Sequence, residues 1–241
     1  MILYYVRHGF PTYQPDELIP LGKRQAEAAG RRLGGLGLSA VYSSSHVRAM
    51  QTAQPTAELS RLPVIPLEFC REDKAWQEMV RASDGKKHWL YSDPEAKALF
   101  RDPAVLSLGM EWYKHPAFAN TPVQSGMERI GRETDEFLQT LGYRHDTTRH
   151  CYIAEQPNDR RVALFAHHGF GMAFLSHVLD IPYPLLSLHF TICHTGITAI
   201  SFTGEGDAII PRVMTFASEA HLYEGRLPVT FDHISHGGGP L

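Results

Sequence analysis

Cysteine is scarce in this chain of 241 residues: Cys70, Cys151 and Cys193 stand far apart, with no C-x-x-C pair. An odd, scattered set disfavours both a disulfide framework and a thiolate zinc site, so reduced thiols in a cytoplasmic setting are expected. Long apolar runs are missing too. The most apolar stretch, residues 165–192, is broken by His167, His168, His177, Asp180, Pro182, Pro184 and His189, which leaves no run of about 18 apolar residues to cross a bilayer. The apolar start, residues 1–6, meets Arg7-His8 and has no basic leader, so it reads as a strand rather than a signal peptide. Positive charge is not in excess: 23 Lys and Arg stand against 26 Asp and Glu, for a net charge of −3. Neither nucleic acid nor an anionic membrane finds a general basic field, and any anion must be held by a local cluster. With 43% hydrophobic and 20% charged residues and no compositional repeat, fibrous and disordered classes are excluded.

What remains is an ordinary globular chain, read as a single domain over residues 1–241. Residues 2–6 form a continuous apolar, β-branched and aromatic run, as expected of a strand buried on both faces of a parallel sheet. Residues 21–33 place Leu21, Gln25, Ala28, Ala29 and Leu33 on one helical face before Gly34, Gly35 and Gly37 end the pattern. Residues 40–42 are a short strand, and 47–59 a second helix interrupted or kinked at Pro55. The strand signature returns at 162–166, followed by an amphipathic segment over 170–179, and further strands are expected at 199–202 and 208–215. This alternation predicts an α/β fold, a mainly parallel central sheet with helices on both faces. Residues 69–120 contain Trp76, Trp89 and Trp112 but no strand alternation; they are expected to form a mainly helical insertion, either a structural cap or a substrate-shaping lid. The Gly-rich tail 233–241 is expected to be mobile.

Two of these strands end alike, each running into a His within a Gly-containing turn: Arg7-His8-Gly9 and His167-His168-Gly169. The carboxyl ends of parallel strands converge on the ligand crevice, so neighbouring strands would bring His8 and His167 to one pocket. Arg7 adds a permanent cation, and Arg48 at a helix start adds a second beside free N–H groups. Together they favour a doubly charged anion, above all phosphate.

These blocks, with Gly22-Lys23-Arg24-Gln25-Ala26, Val41-Tyr42-Ser43-Ser44, Arg48-Ala49 and Gln51-Thr52-Ala53, resemble the histidine phosphatase superfamily of the phosphoglycerate mutase-like, branch-one type. The resemblance spans roughly residues 1–75 and 160–202. It implies that His8 is a nucleophile forming a phosphohistidine, that Arg7 and Arg48 hold phosphoryl oxygens, and that no cofactor or metal takes part. Of the paired histidines, register favours His167 at the catalytic position, with His168 packed beside it or lining the rim. The acid that protonates the leaving group is sought among Glu68, Glu72, Asp73 and Glu78; counting from Pro63-Val64 points to Glu72. The sequence departs from the family at Phe10-Pro11-Thr12-Tyr13-Gln14, at Ile19-Pro20 and at Lys74-Ala75-Trp76. His145, His150 and Cys151 have no standard metal spacing and read as a polar loop. The resemblance therefore implies a phosphomonoester hydrolase acting on a small phosphorylated substrate. Phosphoglycerate mutase-type transfer by the same residues, or a catalytically silent phospholigand-binding protein, are the alternatives, and a homodimer is left open.

Overall fold

The computed structural model describes residues 1–83, 85–204 and 208–232, so the tail expected to be mobile lies outside the described residues. Six strands, β1 (Ile2–Arg7), β2 (Ala40–Ser44), β3 (Val64–Leu67), β4 (Arg161–Ala166), β5 (Ile197–Ser201) and β6 (Arg212–Ser218), form the main sheet in the order β6-β5-β1-β4-β2-β3. Strands β1, β4, β2 and β3 are parallel, while β5 and β6 add an antiparallel edge. The sheet is buried on both faces along β1 and β4, where only Ile2 and Arg161 are not fully enclosed. This is why those strands read as continuous apolar runs rather than alternating ones.

Helices Pro20–Gly34 and Val47–Ser60 cover one face through Leu33, Ala53 and Ala57 against Val6, Val41 and Phe165. On the other face, helices Val123–Thr140 and His168–Leu179 pack through Phe137, Leu138, Phe170 and Phe174 against Leu3, Tyr5 and Leu164. Two expectations are corrected here. The helix Val47–Ser60 runs unbroken through Pro55. A Cβ on Gly30 would stand 2.8 Å from Pro55 Cβ, and this close packing of the two helices holds the turn whose N–H is missing. The helix His168–Leu179 is not amphipathic either: ten of its twelve residues are buried, because it lies between the sheet and a further layer.

Residues 69–120 supply part of that layer as helix Glu72–Glu78, the hairpin Val80–Ser83 with Lys86–Trp89, helices Pro94–Leu99 and Pro103–Leu106, and two short 3₁₀ turns. Phe100, Trp112 and Phe118 are fully buried in the same apolar cluster as Leu3 and Tyr5. The strand expected over 208–215 is divided. Ala208–Ile209 pairs with Cys151–Ala154 in a small separate sheet, whereas Arg212–Ser218 is β6. Pro211 stands between them without an N–H to carry a ladder onward. Among the described residues no helix is long and apolar enough to cross a membrane.

Candidate active site

Register alone brings the two histidine turns together. Arg7 on β1 pairs with Ala166 on β4, so His8 and His167 are the next residues of adjacent parallel strands. The His8 N–H donates to the Ala166 carbonyl at 2.9 Å, and the two rings lie 5.1 Å apart. His8 Nδ1 is 2.8 Å from the Gly9 carbonyl oxygen. A carbonyl can only accept, so Nδ1 carries the proton and Nε2 keeps its lone pair. Burial, then the Arg7 and Arg48 guanidinium groups, hold His8 well below the usual imidazole range, which keeps the ring neutral.

His167 is fully buried, stands edge-on to His46 at 5.1 Å, and has Nε2 2.8 Å from Ser44 Oγ. With the Ser44 hydroxyl donating to Nε2, the neutral ring carries its proton on Nδ1, which has no protein partner. Burial and Arg48 hold this ring neutral as well. His168 opens the following helix and lines the cavity beside Tyr91, with ring centroids 4.7 Å apart.

The two arginines are not free. Arg7 Nη1 donates to the Ile192 carbonyl at 2.7 Å, and Nη2 meets Asp232 and lies 3.1 Å from His194 Nε2. Arg48 Nη1 donates to Asp16 Oδ1 at 2.6 Å, and its guanidinium sits 5.3 Å from the Tyr13 ring centroid. Tyr13 Oη in turn donates to Asp232 at 3.2 Å. Although burial opposes it, the neighbouring His194 and the charge of Arg7 keep the Asp232 carboxyl below its ordinary range. His194 Nδ1 lies 3.0 Å from the Thr230 carbonyl, and burial with Arg7 pushes its pKa down to about 4, so this ring too is neutral.

Glu72 reaches the cavity from the 69–120 segment. It accepts from the Gly169 and Phe170 N–H groups, each at 2.9 Å. Burial raises its pKa, outweighing those two bonds and the arginine charges. Of the other acid candidates, Asp73 also lines the cavity but pairs with Arg71, Glu78 pairs with Arg129, and Glu68 is exposed and 3.9 Å from Arg71. Arg7, His8, Arg48, Glu72, His168 and Asp232 line one cavity of about 260 Å³, walled on one side by Trp76, Trp89 and Tyr91.

Residues 3–103 match the family model described as the histidine phosphatase superfamily (branch 1). No curated protein matches the chain significantly. Mycobacterial hydrolase 1 shares 23% identity at a TM-score of 0.58, with 90% of this chain and 98% of that one covered. A phosphoserine phosphatase from Entamoeba histolytica, in complex with 3-phosphoglyceric acid, shares 20% identity at a TM-score of 0.59, covering 92% of this chain and 98% of its own. A mycobacterial glucosyl-3-phosphoglycerate phosphatase shares 24% at a TM-score of 0.58, covering 90% and 98%. At these identities the likeness is one of fold.

In this chain the six sequence-selected residues Arg7, His8, Arg48, Glu72, His167 and His168 meet at one place. Sequence reading missed Asp16, His46, His194 and Asp232, which surround the two cations. Asp16 follows the departing segment 10–14, and His194 lies in a turn where Thr195 takes φ +58°. A β-branched residue in that region is a strained backbone position, and here Thr195 N–H donates to the Arg7 carbonyl at 3.1 Å. That His-Thr-Gly turn was the one local sign available.

Proposed function

We propose that the protein is a cofactor-independent phosphomonoester hydrolase acting through a phosphohistidine on His8. The observation that carries this reading is the Gly9 carbonyl bond, which leaves the Nε2 lone pair of a neutral imidazole in a cavity bounded by two arginines. Nε2 attacks phosphorus in line, forming the N–P bond as the ester P–O bond breaks. Arg7, Arg48 and the His167 Nδ1–H hold the non-bridging oxygens as charge builds on them. The leaving alkoxide takes its proton from Glu72, whose raised pKa suits it to carry one. Water then attacks the phosphohistidine, gives its proton to the Glu72 carboxylate, and releases phosphate with His8 neutral again.

A cavity of about 260 Å³ fits a small phosphoester, in keeping with the phosphoserine and glucosyl-3-phosphoglycerate phosphatases that share the fold. Chelator-treated protein should release phosphate from several small phosphomonoesters. It should also accumulate an acid-labile, alkali-stable phosphoenzyme that His8→Ala lacks. Interconversion of phosphoglycerates without net release selects the mutase reading. Phosphate binding without either reaction selects a silent binding protein.

A further inference from the structure

At the far end of the helix His168–Leu179 a second cluster of titratable groups has no part in the chemistry above. Asp135 comes from the helix Val123–Thr140, His145 from the strand Tyr143–Asp146, and His177 from the last turn of His168–Leu179. Their inward atoms converge. Asp135 Oδ1 lies 3.0 Å from His145 Nδ1 and 2.7 Å from His177 Nε2, and the two nitrogens are 3.3 Å apart. In a tetrahedral zinc site with bonds of about 2.0–2.1 Å, adjacent ligand atoms stand about 3.3 Å apart. Opening the two shorter separations by about 0.3 and 0.6 Å therefore seats the ion.

The surroundings fit a ligand set rather than a chance contact. His145 Nε2 lies 3.0 Å from Asp180 Oδ2. A carboxylate accepting there fixes the proton on Nε2 and turns the Nδ1 lone pair inward, as in carboxylate–histidine–metal triads. The His145 ring is 1% exposed and lies flat on Tyr152, with centroids 4.3 Å apart and planes 6° from parallel. On the other side a Cβ at Gly131 would stand 3.0 Å from His177 Cε1 and Nδ1, so bare backbone makes the space that ring occupies. Asp135 is 34% exposed, which leaves a path from solvent. Burial disfavours charge on His145, yet its bonds to Asp135 and Asp180 push its pKa up to about 9. A proton and a cation thus compete for the same nitrogen.

We propose that Asp135, His145 and His177 bind one Zn²⁺ ion, with Asp180 orienting His145 and a fourth position open to water. Two imidazoles and one carboxylate suit zinc and not the oxygen-seeking Mg²⁺ or Ca²⁺. The ion ties together two helices and a strand whose closest sequence link is a single loop. It lies about 14 Å from His168 along nine residues of helix, so it is separate from the phosphate cavity. In sequence His145, His150 and Cys151 read as a polar loop with no standard metal spacing. Among the described residues only His145 of those three joins the cluster, while His150 Nδ1 stands 3.5 Å from Asp180. Ligands drawn from positions 135, 145 and 177 leave no short spacing to recognise.

The test uses the full chain, stripped with chelator in phosphate-free buffer and titrated with Zn²⁺ by calorimetry. One equivalent should bind with a micromolar or tighter Kd and raise Tm, while Mg²⁺ does neither. His177→Gln and Asp135→Asn should weaken zinc binding at least tenfold; His8→Ala and the double variant His233→Ala/His236→Ala should retain it. Anomalous diffraction at the zinc edge from wild-type crystals needs no variant to fold, and should place the ion between Asp135, His145 and His177. Absence of micromolar binding overturns the proposal. So does binding that survives His177→Gln but is lost in His8→Ala or in the tail variant, or an anomalous peak confined to other histidines.

Discussion

At the scale of single residues the site is defined by what each ring nitrogen can do. His8→Ala deletes the free Nε2, so turnover should fall at least a thousandfold while Tm and circular dichroism stay near wild type; substantial residual turnover in the purified variant would sink the covalent route. His167→Ala removes one oxyanion donor and should cost about 2.7–4 kcal/mol in kcat, measured by rapid-quench phosphoenzyme formation. His168→Ala, at the wall, should cost much less, and the reverse ranking would exchange their roles. Asp232 occupies the Arg7 Nη2 that the proposed mechanism turns to the anion. Asp232→Asn should therefore tighten vanadate inhibition by about threefold to tenfold, about 0.7–1.4 kcal/mol; weaker inhibition would mean that Asp232 orients Arg7 rather than occupying it. Sequence could point to Arg7, His8 and His167 because a strand-ending His in a Gly turn is a local pattern. It could not point to His194 or Asp232, which meet Arg7 across 187 and 225 positions, since pairing at that distance leaves no periodicity.

Among the elements, the helix His168–Leu179 links Glu72, the proposed acid, to His167, the neighbour of His8. Glu72 satisfies two of its unpaired N–H groups, and a carboxylate at a helix N-terminus is favoured by the helix dipole. Glu72→Gln can offer only one oxygen to those two donors and no acid. Activity should drop by about a hundredfold or more and the urea midpoint modestly, and a drop in stability without loss of rate would remove Glu72 from the chemistry. Gly169→Ala would place a Cβ 2.6 Å from the Trp89 ring. Displacing that indole should raise KM more than it lowers kcat, which steady-state kinetics can separate. This helix also marks where sequence reading stopped. Its 170–179 portion was expected to be amphipathic, whereas the layer contributed by residues 69–120 buries it all round. Which faces are covered depends on layers that a periodic pattern within one segment does not record.

For the molecule as a whole, buried neutral histidines set the response to acid. His194 and His221 are pushed down to about 4, and His8 and His167 are lowered as well. An unfolded chain takes up these protons near pH 6.5 while the folded one does not, so stability present above pH 6.5 should be lost progressively towards pH 4. In chelator-stripped protein His145 acts with the opposite sign: raised to about 9, its contribution is present below pH 6.5 and lost as pH rises through 9. Urea midpoints across pH 4–9 should fall at both ends, and a flat acid limb would contradict the neutral assignments. The mainly parallel sheet was legible from the runs at residues 2–6 and 162–166, whereas the antiparallel edge and the divided strand at Pro211 depend on pairings made across the whole chain.

One consequence concerns the order in which the chain is made. Strand β1 sits in the middle of the sheet, yet its two neighbours are β4 and β5, and Arg7 finds its partners at Ile192, His194 and Asp232. During synthesis Arg7 and His8 precede these partners, and β1 keeps bare edges until residues 161–166 and 197–201 have followed. A chain halted before residue 161 therefore carries Arg7 and His8 with neither neighbouring strand to hold them.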